Sequence, residues 1–155
     1  MSQAGTPEDY PHLAGRHTPD GHVLPVRIYF EDTDFSGVVY HGSYVRFLER
    51  GRSDYVRLLG VHHSELDAGE TGEPIAFAVH RMEIDFKRPA RIDDVVEVLT
   101  RPKEVRGARI LLSQTIRRGH EILVEAVVTV VLVNRAGRAQ RIPESLALRF
   151  AAAPK

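Results

Sequence analysis

The chain has 155 residues, enough for one domain with a substantial hydrophobic core. It contains no cysteine, which excludes disulfides, thiolate catalysis and sulfur-ligated zinc. Its 21 basic and 21 acidic residues balance to a net charge of zero, which argues against a nucleic-acid-binding protein. No apolar run reaches the ~20 residues of a membrane span, and no signal-peptide pattern is present. A cytoplasmic soluble protein without a membrane span is therefore predicted.

The first 22 residues are rich in Gly, Pro, His and Asp and show no hydrophobic period. They are predicted to form a flexible tail, 1–22, ahead of a single domain, 23–152. The histidines of the tail have no carboxylates at ligand spacing, so no metal site is predicted. Val26, Ile28 and Phe30 alternate with polar or exposed positions, which predicts a first strand over 23–30.

The next segment carries the one long helical pattern of the chain. Its apolar or small residues recur at three- and four-residue spacing: Tyr44, Leu48, Gly51, Tyr55 and Leu58. This spacing predicts a helix of about seventeen residues, roughly 25 Å long, with one broad apolar face. Ser43 or Gly42 is predicted to cap its start, and Gly60 to end it in a left-handed turn.

Four more strands are predicted after the helix, over 75–86, 95–105, 109–116 and 121–133, with a short closing helix from Ile142. In 75–86 the apolar residues change parity midway, which predicts a bulge near His80 and Arg81. The order β-α-β-β-β-β predicts an α+β fold in which an antiparallel sheet wraps one long central helix. Residues 127–133 are apolar on both faces, so a homo-oligomer is expected to cover the outer face.

A possible reaction site lies where the loop with Asp32 and Asp34 meets the start of this helix. The first N–H groups of a helix have no partner within it and carry the positive end of its dipole. A carboxylate beside such N–H groups suits hydrolysis of an ester or thioester. The alternative is that both aspartates are turn and capping residues.

The segment 26–52, VRIYFEDTDFSGVVYHGSYVRFLERGR, resembles the hotdog-fold acyl-CoA thioesterases of the 4-hydroxybenzoyl-CoA thioesterase branch. Within that branch it is most similar to the Tol-Pal-associated acyl-CoA thioesterases, and RPARIDD at 88–94 and RIP at 141–143 extend the likeness. The resemblance implies a single hotdog domain that hydrolyses acyl-CoA and acts as a dimer or tetramer. It implies no cofactor, because coenzyme A is part of the substrate, and acyl carrier protein is a possible partner.

Matched position by position, the resemblance implies that Asp34 is the catalytic carboxylate and that the backbone N–H of His41 polarises the thioester carbonyl. The imidazole of His41 would orient water or protonate the leaving thiolate, unless it is simply a hydrogen-bonded residue at the helix start. Tyr40, Tyr44 and Gly37 are predicted to border the substrate pocket, with a core role as the alternative for Tyr44.

Glu49 is a second candidate catalytic carboxylate. In another branch of hotdog thioesterases the carboxylate lies on the helix, eight residues after the N–H donor, and eight residues after His41 is Glu49. The alternative is a surface salt bridge from Glu49 to Arg52 or Arg46. The resemblance also suggests Arg106 and Arg141 for the coenzyme A phosphates, and Arg88 is a comparable candidate.

Two other functions fit the same sequence. A hotdog hydratase or dehydratase would use a histidine and a carboxylate over the acyl chain, a role for His41 and Glu49. A non-catalytic module would bind acyl carrier protein or an envelope-associated complex without releasing thiol.

Overall fold

The structure is a computed structural model that describes residues 14–61 and 74–152. Its strands are β1 (Arg16–Thr18), β2 (Gly21–Arg27), β3 (Ile75–Phe86), β4 (Val95–Arg106), β5 (Arg109–Arg118) and β6 (Glu121–Asn134). Its helices are α1 (His41–Leu58) and α2 (Glu144–Ala152), with a 3-10 turn at Phe30–Asp32. The strands form a six-stranded sheet in the order β1-β2-β4-β5-β6-β3, and all its neighbours are antiparallel. The predicted α+β fold, with a long helix packed on an antiparallel sheet, is confirmed.

Helix α1 packs one face on the sheet, as its sequence spacing predicts. Its buried apolar side chains, together with buried Gly51, follow a three- and four-residue rhythm: Tyr44, Phe47, Leu48, Gly51 and Tyr55. Burying an apolar side chain such as that of Phe47 or Leu48 stabilises the fold by roughly 1.5–3 kcal/mol. Gly60 has a φ of 82°, so the predicted left-handed end of the helix is confirmed.

At Gly51, α1 lies close against the sheet. A Cβ built on Gly51 would lie 2.6 Å from Cγ1 of Val98 and 3.2 Å from the hydroxyl of Thr100. Beside it, the buried amide of Gln114 donates to the carbonyl of Leu48 and to the Thr100 hydroxyl, both at 3.0 Å. Only a residue without a side chain allows the helix to sit at this depth.

Strand β3 carries the predicted bulge and lies at the edge of the sheet. Its register against β6 shifts between Val79 and Arg81. Ile75 and Phe77 pack on the core before the shift, and Met82 and Ile84 do so after it. The extra residue keeps the apolar side chains on the core face although their parity changes in the sequence.

The predicted tail is wrong in its last part, because residues 16–22 belong to a β-hairpin. Thr18 pairs with Gly21 across a two-residue turn, and Gly21 has a φ of 123°. His22 is fully buried, and its Nε2 atom lies 2.7 Å from Oδ2 of Asp54 on α1. This long-range contact holds the hairpin, so the predicted boundary at residue 22 falls inside ordered structure. Residues 1–13 lie outside the described range.

Two further boundaries differ from the prediction. Strand β2 ends at Arg27 rather than at Phe30, because the Asp32 carboxylate accepts the Tyr29 N–H at 2.9 Å and closes a 3-10 turn. Helix α1 begins at His41 after Tyr40, which makes no side-chain cap bond, so the predicted cap by Ser43 or Gly42 is wrong. The hydroxyl of Ser43 donates instead to the carbonyl of Asp32 at 3.1 Å.

The closing helix is present as α2, which buries Leu146 and Phe150 against the core. The predicted strands over 95–105, 109–116 and 121–133 appear as β4, β5 and β6, each slightly longer. The predicted loop over 61–74 lies mostly outside the described residues. No helix in the described ranges is long and apolar enough to cross a membrane.

Candidate active site

A tight loop leads into α1. The backbone of Thr33 pairs with Val39, the N–H of Asp34 donates to the carbonyl of Val38 at 3.0 Å, and the N–H of Gly37 donates to the carbonyl of Asp34 at 3.0 Å. Gly37 has a φ of 83°, which the turn requires and a residue with a side chain rarely adopts. These bonds fix the loop and present Asp34 just before the helix.

The two aspartates of this loop have different surroundings. Asp32 is buried: its carboxylate accepts the Tyr29 N–H, and its carbonyl accepts the N–H of Tyr40 at 2.9 Å and the hydroxyl of Ser43. Asp32 therefore ties the loop to the helix start, as a turn residue does. Asp34 is fully exposed and free of that structural role.

The carboxylate of Asp34 is stabilised in its charged form. The hydroxyl of Ser36 and the N–H of Ser36, at 2.8 Å, both donate to Oδ1 of Asp34. These two bonds, with a smaller contribution from nearby His41, lower the pKa of Asp34 below its usual value of 3.8. Asp34 is therefore a carboxylate at neutral pH and can act as a base or a nucleophile.

The start of α1 offers free N–H donors. Within the described chain, the N–H groups of His41 and Gly42 form no hydrogen bond, and Tyr40 supplies no side-chain cap. The Val39 N–H donates to the Ala90 carbonyl at 2.9 Å, which anchors the helix entry to the segment after β3. These N–H groups lie at the positive end of the helix dipole and suit a carbonyl oxygen that gains negative charge.

A cleft of about 260 Å³ opens beside the helix start. Its lining is part aromatic and part basic: Val39, His41, Tyr44, Phe86, Lys87, Arg88 and Pro89. The Phe86 ring centroid lies 6.2 Å from that of His41 and 5.9 Å from that of Tyr44. Asp34 is not among the lining residues; it stands on the adjoining loop. In the described ranges, no three His, Asp or Glu side chains come together as a metal site.

The predicted pocket residues divide among three positions. Tyr44 is buried, its hydroxyl accepts the Ala90 N–H at 2.9 Å, and it also lines the cleft; its contact with a substrate stays a prediction. Tyr40 is half exposed, and its ring centroid lies 4.5 Å from that of His41. Gly37 faces open space and does not line the cleft of this chain.

Glu49 does not share the cleft with His41. It lies eight residues further along α1, which is about 12 Å of helix axis. Its carboxylate forms no ion pair within 4.0 Å among the described residues, so the predicted salt bridge to Arg52 or Arg46 is absent. A single chain therefore does not bring His41 and Glu49 together as a hydratase pair.

A separate cavity lies between α1 and the sheet. Glu49, Arg52 and Ser53 form its polar side. Its other walls are apolar: Val56, Phe77, Val79, Ile110, Leu112, Val130 and Phe150. An apolar cavity with a few polar groups on one side is typical of a binding site for a small organic ligand.

The three candidate phosphate ligands lie at opposite ends of the sheet. Arg88 lines the cleft and pairs with Glu121 at 3.0 Å. Arg106 ends β4, and Arg141 lies next to Ile142, whose N–H donates to the carbonyl of Gly107 at 3.0 Å. The 12 residues of β4 span about 36 Å at ~3.3 Å per residue. One chain therefore places Arg88, but neither Arg106 nor Arg141, beside the helix start.

Two contributors to this region were missed in the sequence. Ser36 donates hydrogen bonds to the Asp34 carboxylate. The only feature of the sequence that could have indicated this contact is a hydroxyl residue two positions after an aspartate in a turn. Phe86 forms one wall of the cleft, and its only signal was an apolar residue at the end of a predicted strand. Its meeting with His41 depends on the tertiary fold.

The sheet, the central helix and the cleft at its start define a hotdog thioesterase. The chain belongs to the thioesterase superfamily, whose family model matches residues 36–125. It is 39% identical over 128 residues to the acyl-CoA thioester hydrolase YbgC of Escherichia coli O157:H7, covering 81% of this chain and 92% of the relative.

A second relative and a solved structure agree with this placement. The acyl-CoA thioesterase YbgC of Haemophilus influenzae is 40% identical over 115 residues, covering 74% of this chain and 82% of that protein. The crystal structure of a probable thioesterase from Bartonella henselae superposes with a TM-score of 0.76 at 44% identity, covering 79% of this chain and 98% of the other.

Proposed function

We propose that the chain hydrolyses acyl-CoA thioesters to the free acid and coenzyme A, with Asp34 as the catalytic carboxylate. The names of the YbgC relatives support this activity. The observation that carries the assignment of the site is the free N–H of His41 at the start of α1, beside a cleft and next to the loop that presents Asp34.

The His41 N–H donates to the thioester carbonyl oxygen and stabilises the negative charge that develops there. Asp34 either takes a proton from the attacking water or attacks the carbonyl carbon itself to form an anhydride that water then opens. In both routes a new C–O bond replaces the C–S bond, and the leaving thiolate takes up a proton. The imidazole of His41 supplies that proton in this proposal, and the reaction uses no cofactor.

The substrate divides between two parts of the molecule. Arg88 stands at the cleft and pairs with a coenzyme A phosphate, while the acyl group lies beside α1 in the apolar cavity. Arg106 and Arg141 would reach the coenzyme only from another copy of the chain.

The active form is a homo-oligomer, a dimer or a tetramer. Among the residues that the structure describes, strand β3 pairs only with β6, which leaves its other edge unpaired there, and Val79 on it is half exposed. Next to Asp34, Phe35 is fully exposed, and Tyr29 and Phe30 are exposed nearby. A second copy on these surfaces would cover apolar area and the open edge. Acyl carrier protein as a partner, an association with Tol-Pal and a cytoplasmic location stay predictions from the sequence.

The test is release of thiol from acetyl-, butyryl-, hexanoyl-, palmitoyl- and benzoyl-CoA. Asp34→Asn is expected to lower kcat by on the order of 10²–10⁴ while the protein stays folded. Asp20→Asn, an exposed carboxylate in the β1–β2 turn, is the matched control and keeps the parent rate. If Asp34→Asn hydrolyses a good substrate at the parent rate, Asp34 is not the catalytic carboxylate. If the parent protein releases no thiol from any of these substrates, the result supports the alternative of a non-catalytic binding module.

A further inference from the structure

A buried cation lies in the wall of the cavity between α1 and the sheet. Arg52 is only 9% exposed and lines this cavity. A buried charge normally has an opposite charge beside it, because removing an ion from water is unfavourable. A buried arginine without one suggests that its counter-ion comes from outside the chain.

The partners of Arg52 leave most of its donors unused. Its Nη1 donates to the side-chain oxygen of Gln114 at 3.1 Å, a neutral acceptor. Among the described residues no carboxylate lies within 4.0 Å of its guanidinium, and the ion pairs of the neighbouring turns involve other residues. A guanidinium carries five N–H donors in a fixed planar fork. Gln114 therefore accepts from one nitrogen of the group, and Arg52 is one of the residues that line the cavity.

The electrostatics agree with this geometry. Burial lowers the pKa of Arg52, and the more distant Glu49 raises it in part. Arginine stays charged even so: its guanidinium contacts one neutral amide, and Glu49, on the same cavity wall, lies beyond 4.0 Å and offsets its charge only in part.

We propose that this cavity binds acyl groups whose far end carries a carboxylate, and that Arg52 is the residue that recognises it. The inference rests on the proposed thioesterase function. The apolar walls suit the methylene chain, and the planar fork of Arg52 suits one carboxylate in a bidentate arrangement. A phosphate of coenzyme A carries more charge and would be poorly placed between walls of Val, Ile, Leu and Phe.

The parent protein tests this with substrates matched in length. Thiol release is measured for sebacoyl-CoA, its monomethyl ester and decanoyl-CoA, and for the corresponding hexadecanedioyl and palmitoyl series, at about pH 7.5 where the carboxylate is ionised. In at least one series the free carboxylate is expected to raise kcat/KM roughly 10- to 100-fold over both neutral analogues, mainly through KM. Equal or lower kcat/KM for the carboxylate in both series overturns the inference.

Two variants assign the effect to Arg52. Arg52→Gln removes the charge and is expected to abolish the preference for the carboxylate, so that kcat/KM of the carboxylate substrate equals that of its neutral analogues within about threefold. Arg52→Lys keeps the charge without the fork and is expected to restore part of the preference. A preference that survives in folded Arg52→Gln contradicts the role of Arg52, and if that variant does not fold, the substrate comparison on the parent decides.

The two proposals fail in different ways. Hydrolysis of the neutral substrates without a carboxylate preference contradicts only the inference about Arg52. Absence of thiol release from every substrate contradicts the thioesterase function itself.

Discussion

The Nε2 atom of His22 lies 2.7 Å from Oδ2 of Asp54, and this contact joins the N-terminal hairpin to α1. Asp54 also accepts the Gly15 N–H at 2.8 Å and an Arg57 N–H at 2.6 Å. Burial lowers the pKa of His22 more than Asp54 raises it. Burial alone would raise the pKa of Asp54, but its hydrogen bonds outweigh that effect and lower it. The pair is therefore a neutral imidazole that donates to a carboxylate.

This pair predicts that the protein loses stability in mild acid. As the pH falls through 6.5, the ordinary pKa of histidine, the unfolded chain binds a proton that His22 in the folded protein does not. The free energy of unfolding is therefore expected to decrease from about pH 7.5 to pH 5, measured by urea denaturation.

The matched variants are His22→Gln and His120→Gln. His22→Gln can still donate to Asp54 but does not titrate, so its free energy of unfolding should be lower at pH 7 and depend less on pH than that of the parent. His120 is exposed in the β5–β6 turn, and its variant should keep the parent slope. An unchanged slope in His22→Gln would show that another group is responsible.

Ser36 is predicted to set the acid limit of the reaction. Removing its hydroxyl with Ser36→Ala deletes the largest cause of the lowered pKa of Asp34, so that pKa should move up toward 3.8. The acid limb of kcat/KM should then shift to higher pH, with little change near neutrality because Asp34 stays ionised there. The measurement is a pH–rate profile from about pH 3.5 to pH 7.5, with folding followed at each pH. Ser113→Ala on β5 is the control. If the acid limb of kcat/KM has the same position in Ser36→Ala as in the parent, Ser36 does not influence the reaction.

Arg88 is predicted to contribute to coenzyme A binding where Arg106 and Arg141 of the same chain do not. Arg88→Ala should raise KM about two- to fivefold with kcat unchanged, a modest effect because the side chain is exposed and shared with Glu121. Arg106→Ala, at the far end of β4, is the matched comparison and should leave KM unchanged. The reverse result would mean that the nucleotide is held by a different copy of the chain.

The open edge of β3 is predicted to be a subunit contact. Ala78→Lys places a charge on an exposed position of that edge strand outside the cavity lining, which disfavours pairing with another strand. The parent should have the mass of a dimer or tetramer by sedimentation velocity, and the variant should shift toward the monomer at the same concentration. Ala136→Lys adds the same charge in the exposed turn after β6 and should not change the mass. A monomeric parent would contradict the assembly.

Local patterns predicted the elements that carry their own signal. In α1 and in β3, one continuous segment packs one face on the core. The three- and four-residue spacing in α1 and the parity change in β3 are therefore visible in the sequence alone. The first hairpin has no such pattern. It is held by Asp54, which is 32 residues away from His22 in the chain, and only the folded structure brings the two together.

The candidate site divides in the same way. Asp34 and His41 are close in sequence, and one loop and one helix start place both. Phe86 and Arg88 reach the cleft through strand pairing and the anchor between Val39 and Ala90, which no local pattern encodes. The resemblance suggested Arg106 as a phosphate ligand and Arg88 was a comparable candidate, but the length of β4 separates the two.

Because Gly51 has no side chain, one close helix–sheet contact affects two separate regions, the cavity beside Arg52 and the start of α1. It lets α1 rest almost directly on Val98, and the same helix carries His41 at its start and Arg52 at the adjacent position. A methyl group at position 51 would lift this stretch of α1 from the sheet, because 2.6 Å leaves no room for it. Such a displacement of α1 would change both the volume of the cavity and the orientation of the N–H groups at the helix start. The absence of a side chain at position 51 therefore affects both the volume of this cavity and the orientation of the free N–H groups at the start of α1.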